Sequence, residues 1–295
     1  MGLGLSMVFG FVASHGRLIL SAAAALGAVL ATLSTMPEIL LFRERLALSI
    51  FELESDVELQ PVDLATHDGL MLRSWYHPPR AGKPVIVYFP GRVGDVIRKP
   101  RHLFSLAEEG YGLMLAGYRG YGGNPGRPSE HNLYKDATRL LENVADNRLA
   151  PNGIILYGYS MGTGIASYIA AHSKPVGVVL EAPFTSFRDI VGHNARQMPL
   201  WLVRSRFDTR SRYSSIEAPI LLLAGERDTV TPASFATLLA AANEHLSQLH
   251  IFPEASHDDM FDHGAWEAVS SFLGGLQELA VVPAAAMEGF EPLLD

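Results

Sequence analysis

Ile154-Ile155-Leu156-Tyr157-Gly158-Tyr159-Ser160-Met161-Gly162 runs from an apolar β-type segment straight into a helical pattern that continues from Gly162 to His172. A serine on so sharp a strand-to-helix turn must take strained backbone angles, and glycines two positions to either side leave the chain room to fold back. The hydroxyl of Ser160 then points out of the sheet. Beside it the following helix offers unpaired backbone N–H groups and the positive end of its dipole, the surroundings an oxyanion needs.

Working outward, short β-branched and aromatic runs alternate with helix-length segments on both sides of this turn. Val57 to Ala65 and Leu70 to His77 read as a hairpin joined through Asp68-Gly69. Pro84 to Phe89, Gly112 to Gly117, Gly153 to Tyr159, Val176 to Glu181, Pro219 to Ala224 and Leu249 to Phe252 read as buried parallel strands. Helical periodicity lies between them, over Asp95 to Glu109, Glu130 to Asn147, Gly162 to His172, Pro232 to Ala242 and Gly264 to Leu279. The fold class is therefore α/β, a mostly parallel eight-stranded sheet flanked by helices. A catalytic domain is expected over residues 46–280, with a loosely held tail over 281–295. The interval 184–215 is long for a crossover and is expected to form a small cap, with an ordinary long connection as its alternative.

A serine hydroxyl is a poor nucleophile until a base takes its proton and an acid orients that base. Asp228, in Gly225-Glu226-Arg227-Asp228-Thr229-Val230-Thr231-Pro232, and His257 each follow a different parallel strand, at the strand ends where an open α/β sheet places its site. The chain order Ser160, Asp228, His257 fits that arrangement. Glu226 competes with Asp228, and Asp258, Asp259, Asp262 and His263 crowd His257, so an offset by a position stays open for any one assignment. The second oxyanion donor is expected in Pro90-Gly91-Arg92, where the amide of Arg92 would pair with that of Met161. The Arg92 side chain reads either as a receptor for an anionic group or as a solvated charge. Gly117-Tyr118-Arg119-Gly120-Tyr121-Gly122-Gly123 lacks the Gly-Lys-Ser/Thr ending of a phosphate loop and reads as a structural turn braced by Arg119 and the tyrosines.

Composition narrows the partners. A net charge of −8 with no Lys/Arg run argues against nucleic acid. The absence of cysteine excludes disulfides, thiol nucleophiles and thiolate metal sites. The His257 to His263 cluster fits no helical His pair, so no metal is expected there. Leu18 to Met36 is free of charge and long enough to cross a bilayer as a helix, so residues 1–45 are expected to form a single-pass N-terminal membrane anchor. A cleaved signal peptide, leaving a secreted or periplasmic enzyme, is the alternative. Arg17 before the run, with Arg43 and Arg45 after it, does not choose an orientation.

Taken together, Tyr118-Arg119-Gly120-Tyr121-Gly122 with Pro128-Ser129-Glu130, Gly-Tyr-Ser-Met-Gly around Ser160, Ala182-Pro183-Phe184-Thr185-Ser186 and the Asp228 and His257 loops resemble the α/β-hydrolase superfamily. More narrowly, they resemble its membrane-anchored serine hydrolases related to the alpha/beta-hydrolase-domain depalmitoylases and their bacterial relatives. The resemblance covers most of Val57 to Leu279. It implies a serine esterase, lipase or thioesterase working through an acyl-enzyme, without metal or organic cofactor, on a small-molecule or lipid acyl substrate. A serine peptidase on the same three residues and a noncatalytic membrane-tethered scaffold are the alternatives. Two departures mark this chain: Pro90-Gly91-Arg92 stands where the group usually has His-Gly-Asn, and Ser256 precedes His257 where the group usually has Gly.

Overall fold

A computed structural model describes residues 20–29, 31–32, 41–42, 57–92 and 101–279. Eight strands form one sheet: β1 (Gln60–Ala65), β2 (Met71–His77), β3 (Val85–Phe89), β4 (Gly112–Leu115), β5 (Ile154–Tyr159), β6 (Gly177–Glu181), β7 (Ile220–Gly225) and β8 (Ser247–Phe252). They lie in the order β1-β2-β4-β3-β5-β6-β7-β8. β1 and β2 pair antiparallel, β2 meets β4 antiparallel, and every pairing from β4 to β8 is parallel.

The helices are α1 (Arg101–Glu108), α2 (Glu130–Asp146), α3 (Met161–Ala170), α4 (Phe187–Asn194), α5 (Thr209–Tyr213), α6 (Ala233–Ala242) and α7 (Ala265–Leu279). Every residue of β3, β5, β6 and β7 is buried, as parallel strands covered on both faces must be. Alternation along these strands divides them between two cores. Val85, Val87, Phe89, Leu156, Leu180 and Leu222 face one core; Ile86, Tyr88, Ile155, Tyr157, Val179 and Leu221 face the other.

The glycine-rich segment after β4 is a structural turn. Gly120, Gly122, Gly123 and Gly126 all take positive φ. Within it Arg119, only 2% exposed, donates through Nε and Nη2 to the two oxygens of Asp136 at 2.6 Å each and through Nη1 to Asp68 Oδ2 at 2.9 Å. This fork ties the β1–β2 turn to α2. Arg119→Met would strand the buried carboxylate of Asp136, so a loss of about 3 kcal/mol is expected in urea unfolding.

The interval between β6 and β7 holds α4, a 3-10 turn at Leu200–Leu202 and α5. Residues 20–29 and 31–32 are helical and exposed, and no helix among the described residues is long and apolar enough to cross a membrane. The remainder of the 18–36 run, the cleavage alternative, the 281–295 tail and the 95–100 part of the first expected helix lie outside the described residues.

Candidate active site

Ser160 sits between β5 and α3 with φ 49° and ψ −118°, a left-handed conformation that costs a non-glycine residue about 1–3 kcal/mol. The surroundings hold it there. Its amide donates to Glu181 O at 2.8 Å, and its carbonyl accepts from the Thr163 amide at 2.9 Å and the Thr163 hydroxyl at 2.7 Å. The flanking glycines are needed for backbone contact. A Cβ on Gly162 would lie 1.9 Å from Phe89 O, and one on Gly158 would lie 2.5 Å from Gly162 O.

Two further loops converge on the turn. Gly225 permits the first, because a Cβ there would fall 2.5 Å from the carbonyls of both Ala255 and Ser256. The exit of β7 can thus press against the loop after β8 and bring Asp228 to His257. Asp228 Oδ1 accepts from the amides of Val230 at 2.7 Å and Thr231 at 2.8 Å, while Oδ2 accepts from the Thr231 hydroxyl at 2.7 Å. Oδ2 also lies 2.7 Å from His257 Nδ1, and His257 Nε2 lies 3.0 Å from Ser160 Oγ. A carboxylate only accepts, so Nδ1 carries the proton and Nε2 is left to accept from the serine hydroxyl.

Burial pushes the Asp228 carboxyl up, but the His257 contact and the Thr231 hydrogen bonds more than reverse this and hold it below the ordinary carboxylate range. It therefore stays ionised at neutral pH.

The competing residues are engaged or turned outward. Glu226 is exposed, as are Asp262 and His263. Asp258 accepts from the Tyr159 hydroxyl, and Asp259 Oδ1 accepts from the Ser256 amide at 2.6 Å. Gly91 brings the β3 exit against the serine, since a Cβ there would meet Ser160 Cβ at 3.4 Å and the Tyr159 ring at 3.0 Å. The Tyr118 hydroxyl braces this loop from beneath, donating to Pro90 O at 2.9 Å. Met161 is buried as the first residue of α3, while the Arg92 side chain is exposed.

Sequence reasoning missed two supports. Thr231 is buried against Asp228, and its signal was Asp228-Thr229-Val230-Thr231, an aspartate followed by backbone donors two and three residues on. The second is Tyr159, whose hydroxyl holds Asp258 in the His257 loop.

His102 lies behind the site, stacked on Phe261 with ring centroids 3.7 Å apart. Burial lowers its pKa to about 3, although Glu181 Oε2 is 3.9 Å away; that oxygen already accepts from the Tyr157 hydroxyl at 2.8 Å. The native state thus refuses a proton that the unfolded chain takes up below pH about 6.5. Stability is complete above that value and falls as pH drops toward the native pKa, by about 1.4 kcal/mol per unit. Measured as the difference in unfolding free energy between pH 7 and pH 5, the pH sensitivity is expected to shrink by about 2 kcal/mol in His102→Phe.

A mostly parallel sheet that holds Ser160, His257 and Asp228 in a hydrogen-bonded relay at its C-terminal edge is the arrangement of a serine hydrolase. The family model Hydrolase_4, described as serine aminopeptidase S33, matches residues 80–211. An uncharacterized protein of Mycobacterium tuberculosis, Rv2307c, is 34% identical over 204 residues, covering 67% of this chain and 72% of that protein. The lysophosphatidylserine lipase ABHD12 of Danio rerio is 28% identical over 186 residues, covering 54% of this chain and 47% of that protein. Among solved structures, the Pyrococcus furiosus esterase Pf2001 superposes with a TM-score of 0.65 at 19% identity, over 79% of this chain and 98% of that one, and so shares the fold. The chain belongs to the Hydrolase_4 family of α/β-hydrolases.

Proposed function

We propose that this chain hydrolyses a carboxylic ester or thioester through an acyl-enzyme on Ser160. His257 deprotonates the hydroxyl as it attacks the acyl carbonyl, the amides of Met161 and Arg92 receive the oxyanion, and the protonated His257 passes its proton to the leaving group. Water, deprotonated by the same histidine, then releases the acid. Asp228 fixes the tautomer and stabilises the imidazolium. The observation that carries this reading is the relay itself, 3.0 Å from Ser160 Oγ to His257 Nε2 and 2.7 Å from Nδ1 to Asp228.

An acyl chain on a lipid or lipidated molecule is the substrate class we favour. A relative that hydrolyses a lysophospholipid and an N-terminal apolar run suited to a single-pass anchor both support it. The test is a p-nitrophenyl ester series from acetate upward. Activity that rises with chain length supports a lipid-type substrate, and activity confined to acetate contradicts it. The family model's description as a serine aminopeptidase gives amide cleavage by the same residues as a second reading. An aminoacyl p-nitroanilide in the same assay is expected to react more slowly than the esters, because its amine must be protonated to leave.

A further inference from the structure

We propose that the 184–215 interval carries a lipid-docking surface, centred on Leu200 and Trp201 and suited to an anionic bilayer. Trp201 is 67% exposed and Leu200 43% exposed on the 3-10 turn, which leans on Gly192 of α4. They belong to an apolar stretch, Met198-Pro199-Leu200-Trp201-Leu202-Val203, whose inner members Leu202 and Val203 are buried. A tryptophan held outward on a short turn is the side chain that settles at a bilayer's headgroup level, with its ring among acyl chains and its N–H in the wet layer.

Charge selects the kind of surface. Within 184–215 six arginines face two aspartates, a local +4 in a chain whose total is −8. Arg196, Arg204, Arg206 and Arg210 are exposed around the turn. Both aspartates are engaged locally: Asp208 caps α5, accepting from the Ser211 amide, and Asp189, in the first turn of α4, accepts from the hydroxyls of Thr185 and Ser186. A basic rim around an exposed aromatic complements anionic lipid headgroups, whereas the rest of the chain, with a net −12, is repelled by them.

Position supports the same occupant. Asn194, at the end of α4, donates to Val230 O at 3.1 Å in the Asp228 loop, so the docking turn stands beside the candidate site. At the other end of the interval, Phe207 is pinned to α2 by its amide's hydrogen bond to Glu130 Oε1 at 2.8 Å, and its ring lies 6.3 Å from that of Phe42. Leu41 and Phe42 are both buried in the core. In sequence, the apolar run Leu18 to Met36 ends five residues before Leu41, a span of at most about 18 Å of chain. Docked this way, the enzyme would present its site to the bilayer rather than to bulk water; this second half rests on the acyl-hydrolase reading.

The experiment uses the full chain with vesicles of phosphatidylcholine alone or mixed with phosphatidylglycerol, each with brominated acyl chains. Trp201 is one of three tryptophans, so quenching of up to about a third of the emission is expected on the anionic vesicles and its loss in Trp201→Phe. Arg196→Gln with Arg204→Gln should reduce the quenching, and salt should weaken it in the wild type. Trp201→Ser is expected to hydrolyse a vesicle-borne long-chain ester about tenfold more slowly, with a water-soluble ester unaffected as the check on folding. Quenching unchanged in Trp201→Phe, or equal on neutral and anionic vesicles, would overturn the proposal. A wild type inert toward every ester but still quenched through Trp201 would keep the docking surface and sink the acyl-hydrolase reading instead.

Discussion

Ser160→Ala is expected to lower kcat on a p-nitrophenyl ester by about 10⁵-fold, roughly 7 kcal/mol of transition-state stabilisation. The deletion removes one oxygen that His257 Nε2 approaches at 3.0 Å, and with it any acyl-enzyme. What survives should be the slow attack of water near the oxyanion donors. Folding should not suffer, because the strained φ of 49° is held by backbone bonds to Glu181 and Thr163 that alanine keeps. A thermal melt matching the wild type, with the rate lost, separates a chemical role for the hydroxyl from a structural one. A rate within tenfold of wild type would place the nucleophile elsewhere.

Asp228→Asn is expected to cost about 10⁴ in kcat, and the geometry says why so small a change should cost so much. Oδ1 receives two backbone N–H groups, from Val230 and Thr231, and an amide NH₂ there would face two donors. The asparagine carbonyl must therefore occupy the Oδ1 position, which turns its NH₂ toward His257 Nδ1 at the place Oδ2 now holds. Histidine can answer a donor at Nδ1 only by moving its own proton to Nε2, where it can no longer accept from Ser160. The loss should appear in kcat with KM little changed, since Asp228 is buried and the acyl chain does not need it. A loss confined to KM would contradict this assignment.

The parts of the fold that could be read from the chain were those where one residue type is dictated by backbone contact. Gly158 and Gly162 flank the serine because each abuts a carbonyl oxygen, and that constraint is local enough to leave a five-residue pattern. The buried strands were legible because parallel strands covered on both faces are apolar throughout. Strand ends were less so. β8 starts at Ser247 rather than Leu249, because a sheet-edge strand with exposed Gln248 and His250 does not show as an apolar run. β4 stops at Leu115, beyond which the Gly117 amide turns to the Ser74 hydroxyl.

At the site, Ser160, Asp228 and His257 were legible from chain order and strand exits, and the structure brings these three together while Glu226 faces solvent. The roles of Thr231 and of the Tyr159–Asp258 contact were not, because they arise between side chains from separate loops, and no spacing encodes them. Arg119 was legible as a brace through its glycine-rich setting, but its partners Asp68 and Asp136 are 51 and 17 residues away.

In the proposed reaction the hydroxyl of Ser160 is activated by His257 for attack on an acyl carbonyl. The most direct measurement is covalent labelling of the wild-type protein by a fluorophosphonate, with the modified peptide identified by mass spectrometry. One adduct is expected, on Ser160, absent from His257→Ala and from heat-denatured protein. A folded wild-type protein that takes up no label, or takes it up at another serine, would contradict it.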